Sequence, residues 1–405
     1  MNKKEAQVEQ HSHMSDKKSV YIMIISLFLG LLFGYLDINF IFVASKYLVD
    51  VFINLLKFIS LPVIFLSICT SINKLFKNGN LSNILVKTVT YTVITTLISA
   101  FIAMVVYLLI EPATHVFMGE AGNKTLNISK HLVAMFPSNI VGIFYEHNVI
   151  AIVMSAFFIG YSSTIIPKEQ KNFIELLFQS LFTIFMKIAA IILSFIPYLM
   201  WCFVVLFIKD IKSGFDIDKI FLYMLTIIVV NAIQAIVILP LFLKSKNIPV
   251  IKSLKGMLPA LTTAFFSKSS AASIPTTMHC IEKNLHVKKS VSSLVVPLCT
   301  TINMNACAAF IYITVLFVSQ SHGVMFSYTD YVIWIFLATI AAIGNAGVPM
   351  GCYFMASAYL SGMDVPIYLM GVILPFYTIL DMFETAINVW SDACVTLIIN
   401  ENYKT

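Results

Sequence analysis

Five polar residues near the end of the chain, Asp381, Glu384, Thr385, Asn388 and Asp392, interrupt an otherwise apolar stretch. At about 100° per helical residue, Asp381, Asn388 and Asp392 fall within roughly 20° of one line, flanked by Glu384 and Thr385. Such a stripe must face the protein interior and meet cations or hydrogen-bond donors. A second polar cluster, Thr300-Thr301-Ile302-Asn303-Met304-Asn305, sits mid-way along another apolar run. Its hydroxyls, amides and freed carbonyls are hard oxygen ligands, matched to alkali cations rather than to zinc or copper.

The expense of these groups points to the elements that hold them. Each ionisable group at the centre of a membrane helix costs about 2.5–3.5 kcal/mol, so the stripe carries a gross penalty on the order of 8–10 kcal/mol. A membrane is implied because 59% of the 405 residues are hydrophobic and 11% charged, against about 25% charged in a soluble domain. A soluble protein of this size has no way to hide so much apolar surface, whereas a lipid exterior removes the constraint. All 26 basic residues are lysines, and the formal charge is +6. Nucleic acid is not an expected partner, because the lysines cluster at the ends of apolar runs rather than along one stripe. The seven cysteines lie mostly inside apolar runs with no CxxC pair. They read as small buried hydrophobes and predict neither a zinc site nor a disulfide framework.

A helical span needs about 20 mostly apolar residues. Runs at 20–44, 48–72, 85–110, 147–166, 172–207, 217–243, 290–320 and 368–399 meet that length. Two further stretches, 256–282 and 333–363, are broken, by Ser267-Lys268-Ser269-Ser270-Ala271-Ala272-Ser273-Ile274-Pro275 and by Ile343-Gly344-Asn345-Ala346-Gly347-Val348-Pro349-Met350-Gly351. Backbone freed at such breaks is tolerated only where protein or a wet cavity satisfies it. Two corresponding broken segments are the best sequence pointer to a transporter's binding site. The expected fold is an all-α polytopic membrane protein with eight transmembrane helices plus two re-entrant helical hairpins. The lysine bias falls on one side when both termini are cytoplasmic. The run from Val20 lacks a clear cleavage site and reads as a retained span. The loop at 111–146 carries two glycosylation-type triplets, Asn123-Lys124-Thr125 and Asn127-Ile128-Ser129.

With these motifs in order, the chain resembles the dicarboxylate/amino acid:cation symporter family, which includes glutamate and neutral amino acid transporters. The match rests on Ser269-Ser270-Ala271-Ala272-Ser273-Ile274-Pro275, on Asn303-Met304-Asn305-Ala306-Cys307, on Gly344-Asn345-Ala346-Gly347-Val348-Pro349, and on the segment from Asp381 to Asp392. Weaker echoes are Leu61-Pro62-Val63-Ile64-Phe65 and Phe136-Pro137-Ser138-Asn139-Ile140. The resemblance implies a glutamate-transporter-like homotrimer in the plasma (cell inner) membrane. Each chain would have a polar tail (1–18), scaffold spans 1–2 (19–83), span 3 of a transport domain (84–110), and an extracellular loop with scaffold spans 4–5 (111–210). Span 6 (211–250), hairpin 1 (251–289), span 7 (290–322), hairpin 2 (323–367), and span 8 with the C-terminus (368–405) would complete the transport domain. The resemblance also implies that Asp381 holds a substrate ammonium and Asn388 its carboxylate. Backbone near Ser269 and Ser270 would help, the Val348 carbonyl would close over the ligand, and Thr385 and Cys307 would line the pocket. Asn303, Asn388 and Asp392 would form one sodium site, Thr301 and the hairpin tip at Asn345 another, and Thr95, Thr96 and Asn305 a third. Co-transported sodium, or protons, is implied, with no organic cofactor; the partners are an amino acid and membrane lipid.

The departures from the family pattern define the expected substrate. Glu384 stands where the family clamps an acidic side chain with Arg, Cys307 replaces an assisting threonine, and the chain has no Arg at all. An ionised Glu384 repels a carboxylate. A basic amino acid is therefore expected first and a small polar neutral one second. Asn305 puts an amide dipole where the family has an Asp charge, which weakens the third cation site. Glu384, removed from water, is also a candidate proton carrier. An uncoupled permease or channel is the competing class, and concentrative uptake separates the two. An enzyme is not expected: His279 and His286 lie away from the acidic stripe, and no HExxH or serine nucleophile elbow occurs.

Overall fold

The computed structural model describes residues 21–22, 24–75, 83–113, 139–145, 149–212, 217–345 and 350–402, and among them every regular element is a helix. Among the described residues, five helices are long and apolar enough to cross a membrane: Asn83–Ile110, Lys168–Ile192, Asp218–Lys244, Lys289–Ser321 and Leu369–Asn402. Large apolar side chains such as Tyr35, Phe40, Leu109, Phe173, Ile236 and Phe266 point outward. An exterior of this kind belongs in hydrocarbon.

The first helix, α1 (Ile24–Leu36), is divided from α2 (Asn39–Leu75) at Asp37, whose φ is 51°. The sequence predicts that boundary near 45–47; Ser45 and Lys46 instead lie within α2. Lys212 accounts for the shift. Its ammonium donates to the Gly34 carbonyl at 3.1 Å and the Tyr35 carbonyl at 3.2 Å, and stands 3.8 Å from Asp37. A cation on the last carbonyls ends a helix there. Next come α3 (Asn83–Ile110), α4 (Gly142–Tyr145) and α5 (Val149–Ile165). The expected single run at 172–207 is two helices, α6 (Lys168–Leu193) and α7 (Ile196–Lys212). Pro197 at the start of α7 has no amide to bond back to the preceding turn. α8 (Ile217–Ile233) continues through a π turn (Gln234–Ile238) into α9 (Leu239–Lys244).

Both broken stretches fold back on themselves. α10 (Val250–Ser267) and α11 (Ser270–His279) meet at Lys268, which takes a left-handed φ of 52°. Asn284, in the π turn after α11, donates to the Gly256 carbonyl near the start of α10 at 2.8 Å, so the two arms are antiparallel. The break is narrower than the sequence motif, because Pro275 stays helical and Ser269 Oγ caps α11 by accepting the Ala272 amide at 3.2 Å. The expected run at 290–320 is interrupted at Asn303 and Met304, giving α12 (Lys289–Ile302) and α13 (Asn305–Ser321). α14 (Tyr328–Gly344) and α15 (Gly351–Gly362) form the second antiparallel pair, with Trp334 edge-on to Tyr359 at 5.3 Å. α16 (Tyr368–Asn402) runs unbroken through Pro375.

Packing falls into two groups. α2 packs on α5, α6 and α7, whereas α3, α8 and α10 to α15 gather around α13 and α16. The groups touch where α15 packs on α2 and where Gly371 of α16 faces Phe203 of α7. A Cβ at Gly371 falls 2.1 Å from the Phe203 ring, which is itself braced edge-on against Phe52 at 5.9 Å. Gly371→Ala is therefore expected to destabilise the protein by about 1–3 kcal/mol through overpacking. A lowered Tm in detergent checks this, and an unchanged Tm means the ring has room to move. α1 and α7 likewise approach closely because Gly30 and Gly34 leave room for Val204 and Ile208.

Candidate functional site

The interruption at Asn303 and Met304 turns the end of α12 and the start of α13 toward one face of α16. Asn303 Nδ2 donates to Asp392 Oδ1 and to Ser391 Oγ, both at 2.9 Å, and Asn305 Nδ2 donates to Ser391 Oγ at 2.7 Å. Thr300 Oγ1 reaches Asp392 Oδ2 at 3.5 Å. From α3, Thr95 donates to Asn303 Oδ1 at 3.3 Å and Thr96 to Asn305 Oδ1 at 2.8 Å, while Ser99 donates to the Asn305 carbonyl at 2.8 Å. Gln234, in the π turn, meets the Thr95 carbonyl at 3.5 Å. All of these side chains are buried. Asp392 thus meets the Asn303 N–H and the Thr300 hydroxyl, while the amide oxygens of Asn303 and Asn305 face Thr95 and Thr96; a carboxylate, hydroxyls and amide oxygens gathered in one buried cluster are hard donors, suited to an alkali cation. The sequence points to Thr95, Thr96, Asn303, Asn305 and Asp392. It misses Ser391, the hub of both asparagines, although its place beside Asp392 in the last-span motif was a usable signal. Thr301 stands apart, half-buried, donating to the Leu298 carbonyl at 2.7 Å.

Nearer the start of the stripe a second constellation forms. Asn388 Oδ1 accepts the Ala306 amide at 3.0 Å, and its Nδ2 points at Cys307 Sγ at 3.3 Å, which ties α16 to the start of α13. Tyr377 Oη donates to Asp381 Oδ1 at 3.3 Å, and Asp381 Oδ2 has no partner among the described residues. Thr385 turns its hydroxyl back to the Asp381 carbonyl at 2.7 Å. Glu384 is 1% exposed, and neither of its carboxylate oxygens has a hydrogen-bond partner among the described residues. A buried unpaired charge costs several kcal/mol, and a donor-bearing or cationic group beside it recovers that. The first hairpin borders the same face, with Phe265 edge-on to Phe383 at 5.0 Å and Lys268 within electrostatic range of Asp381. Ser270 is buried and Ser269 half-buried at its tip.

The second hairpin closes the other flank. Ser67 of α2 donates to the Gly344 carbonyl. Asn345 Nδ2 donates to both Cys307 Sγ and Cys352 Sγ at 3.3 Å, so this side chain faces the sulfurs rather than Thr301. The structure joins Cys307 and Cys352 as a disulfide, which corrects the expectation of none. The two lie 45 residues apart, and packing of α15 on α13 brings them together, a contact no local spacing encodes. Cys352 and Tyr377 are thus site residues that the sequence reading missed. Val348, the tail at 1–18 and the triplets at Asn123 and Asn127 lie outside the described residues.

The model of the sodium:dicarboxylate symporter family matches residues 20–402. The chain belongs to that family. Membership makes it one of a family of sodium-coupled symporters, not of enzymes, and agrees with a multi-pass apolar exterior. Among its relatives, the putative sodium-dependent excitatory amino acid transporter glt-3 of Caenorhabditis elegans is 26% identical over 392 residues, covering 85% of this chain and 73% of that protein. Excitatory amino acid transporter 3 of Homo sapiens is 26% identical over 413 residues, covering 87% and 78%. The Mus musculus protein of that name is 32% identical over 226 residues, covering 55% and 43%.

Proposed function

We propose that this symporter carries a non-acidic amino acid, with a cationic side chain favoured, together with sodium. The observation that carries the reading is Glu384, buried with neither oxygen partnered among the described residues, in a chain that contains no Arg. A substrate guanidinium or ammonium would supply the missing donors and the opposite charge. A small polar neutral amino acid is the second reading, because a protonated Glu384 offers both a donor and an acceptor.

In this reading Asp381 receives the α-ammonium and Asn388 the α-carboxylate, with the hairpin tips at Ser269, Ser270, Asn345 and Val348 enclosing them. Sodium sits with Asp392, Asn303 and Asn388, and a second ion with Thr301 near the second hairpin. Sodium offsets the Asp392 charge and orders the unwound backbone, the substrate docks, and the second hairpin closes. The eight-span, two-hairpin architecture then carries the α3, α8 and α10 to α16 group past a scaffold of α1, α2 and α5 to α7, elevator-fashion, within a homotrimer in the cell membrane. Accumulation of substrate against its gradient separates this from an uncoupled permease or channel.

Purified protein heated with each of the twenty amino acids and ornithine, with and without sodium, tests the substrate. A ligand binding only the native state at 100 times its Kd adds about 2.7 kcal/mol. Stabilisation by lysine, arginine or ornithine is expected; stabilisation by aspartate or glutamate would overturn the reading. Asn305→Asp returns a charge to the Thr95–Thr96 side and is expected to raise the sodium Hill coefficient of uptake. An unchanged coefficient would show that the third site was not weakened.

A further inference from the structure

We propose that, with its disulfide reduced, the cluster Cys307, Cys352 and Glu384 binds one thiophilic divalent cation of the zinc class. The two sulfurs and a Glu384 carboxylate oxygen lie within 4.8 Å of one another, and all three residues are buried. Tetrahedral zinc, with bonds of about 2.3 Å to sulfur and 2.0–2.2 Å to oxygen, holds its ligands roughly 3.5–4 Å apart, so small side-chain adjustments suffice. Three protein ligands leave the fourth position open.

Two independent features point to a cation here. Neither Glu384 carboxylate oxygen has a hydrogen-bond partner among the described residues, and one of them lies within the cluster. Three N–H contacts are aimed at the sulfurs, from Asn345 Nδ2 to each of them and from Asn388 Nδ2 to Cys307, all at 3.3 Å. Donors in that arrangement support negative charge on sulfur and orient thiolate ligands. The soft S₂O set also differs in kind from the sulfur-free carboxylate, hydroxyl and amide groups gathered at Asp392, so sodium and a zinc-class ion would not compete for one place.

The chemistry balances. A small dithiol passes two electrons and two protons to the Cys307–Cys352 bond and leaves as its own disulfide. The divalent cation then displaces the two thiol protons to solvent and bonds both sulfurs and the carboxylate. Occupancy of Glu384 excludes a substrate side chain, a consequence that rests on the reading of Glu384 under Proposed function, whereas the cation site does not.

The test uses the purified full chain, reduced with a dithiol, desalted, and titrated with Cd²⁺. One Cd²⁺ per chain is expected, with a cadmium–thiolate ultraviolet band; protein oxidised with diamide is expected to give neither. Asn345→Ala is expected to weaken binding by about 10–100-fold, and the double change Cys307→Ser with Cys352→Ser to abolish it. Reduced protein that takes up no Cd²⁺, or the double variant binding it as tightly as the parent through the other buried cysteines, would overturn the site. Should the variants fail to fold, the reduced-versus-oxidised comparison on the unaltered chain decides. The amino acid that stabilises the protein is expected to displace Cd²⁺; undiminished Cd²⁺ binding at saturating substrate would overturn the shared use of Glu384.

Discussion

Asp392→Asn is expected to abolish the sodium dependence of amino acid binding and uptake, lowering sodium affinity by about a thousandfold. Asp392 is 1% exposed and is the one carboxylate in the network of Asn303, Asn305, Ser391, Thr95 and Thr96. Its neighbours contribute dipoles, and dipoles do not replace a full charge beside a cation. Two unit charges 4 Å apart at an effective dielectric of about 20 attract by about 4 kcal/mol, which is roughly three decades in affinity. The substitution keeps the side-chain shape and leaves an acceptor for Asn303 Nδ2, so the helix packing should survive. Thermal stability titrated with sodium against choline reads the loss directly, and concentrative uptake reads its consequence. A variant that retains the parent's sodium dependence would move the coupling ion away from Asp392, and the Thr301 region would become the place to look.

The reach of the sequence differs from element to element for physical reasons. The stripe on α16 was legible because helical periodicity survives in any packing, and the expense of buried carboxylates leaves only interior positions for them. The breaks within 256–282 and 333–363 were legible because Ser and Gly weaken a helix locally. Other features depend on partners far along the chain. α1 ends at Asp37 because Lys212, on α7, reaches its carbonyls. The α12–α13 break contains neither Gly nor Pro. It is held by long-range bonds from Asn303 and Asn305 to Ser391 and from α3 hydroxyls, and only the polar composition of 300–305 hinted at it. Cys352 read as core because its partner Cys307 comes to it through the packing of α15 on α13. Local patterns thus identified what must be buried, and tertiary contacts determined what each buried group would meet.

Glu384→Arg is expected to invert selectivity, with cationic substrates losing binding and aspartate or glutamate gaining it, each by about a hundredfold or more. The change replaces attraction by repulsion for a cationic side chain, and like-charge juxtaposition in a desolvated site costs several kcal/mol. Guanidinium also supplies a planar fork that matches a carboxylate bidentately. Asp381 lies three residues earlier on α16, with Oδ2 unpartnered among the described residues, and would draw part of the new charge to itself. The gain for acidic substrates should therefore be smaller than the loss for cationic ones. Because a longer side chain at a 1% exposed position risks the fold, Glu384→Gln is the companion: it removes the charge at nearly constant shape. It should lose the preference for cationic over neutral amino acids while keeping sodium-dependent stabilisation through Asp392. If the Gln variant still prefers lysine or arginine, the counter-charge lies elsewhere in the pocket, and Asp381 would then be reading the side chain as well as the α-ammonium. If neither variant alters the ranking of amino acids, Glu384 shapes the pocket without reading charge, and the neutral-substrate reading takes the place of the cationic one.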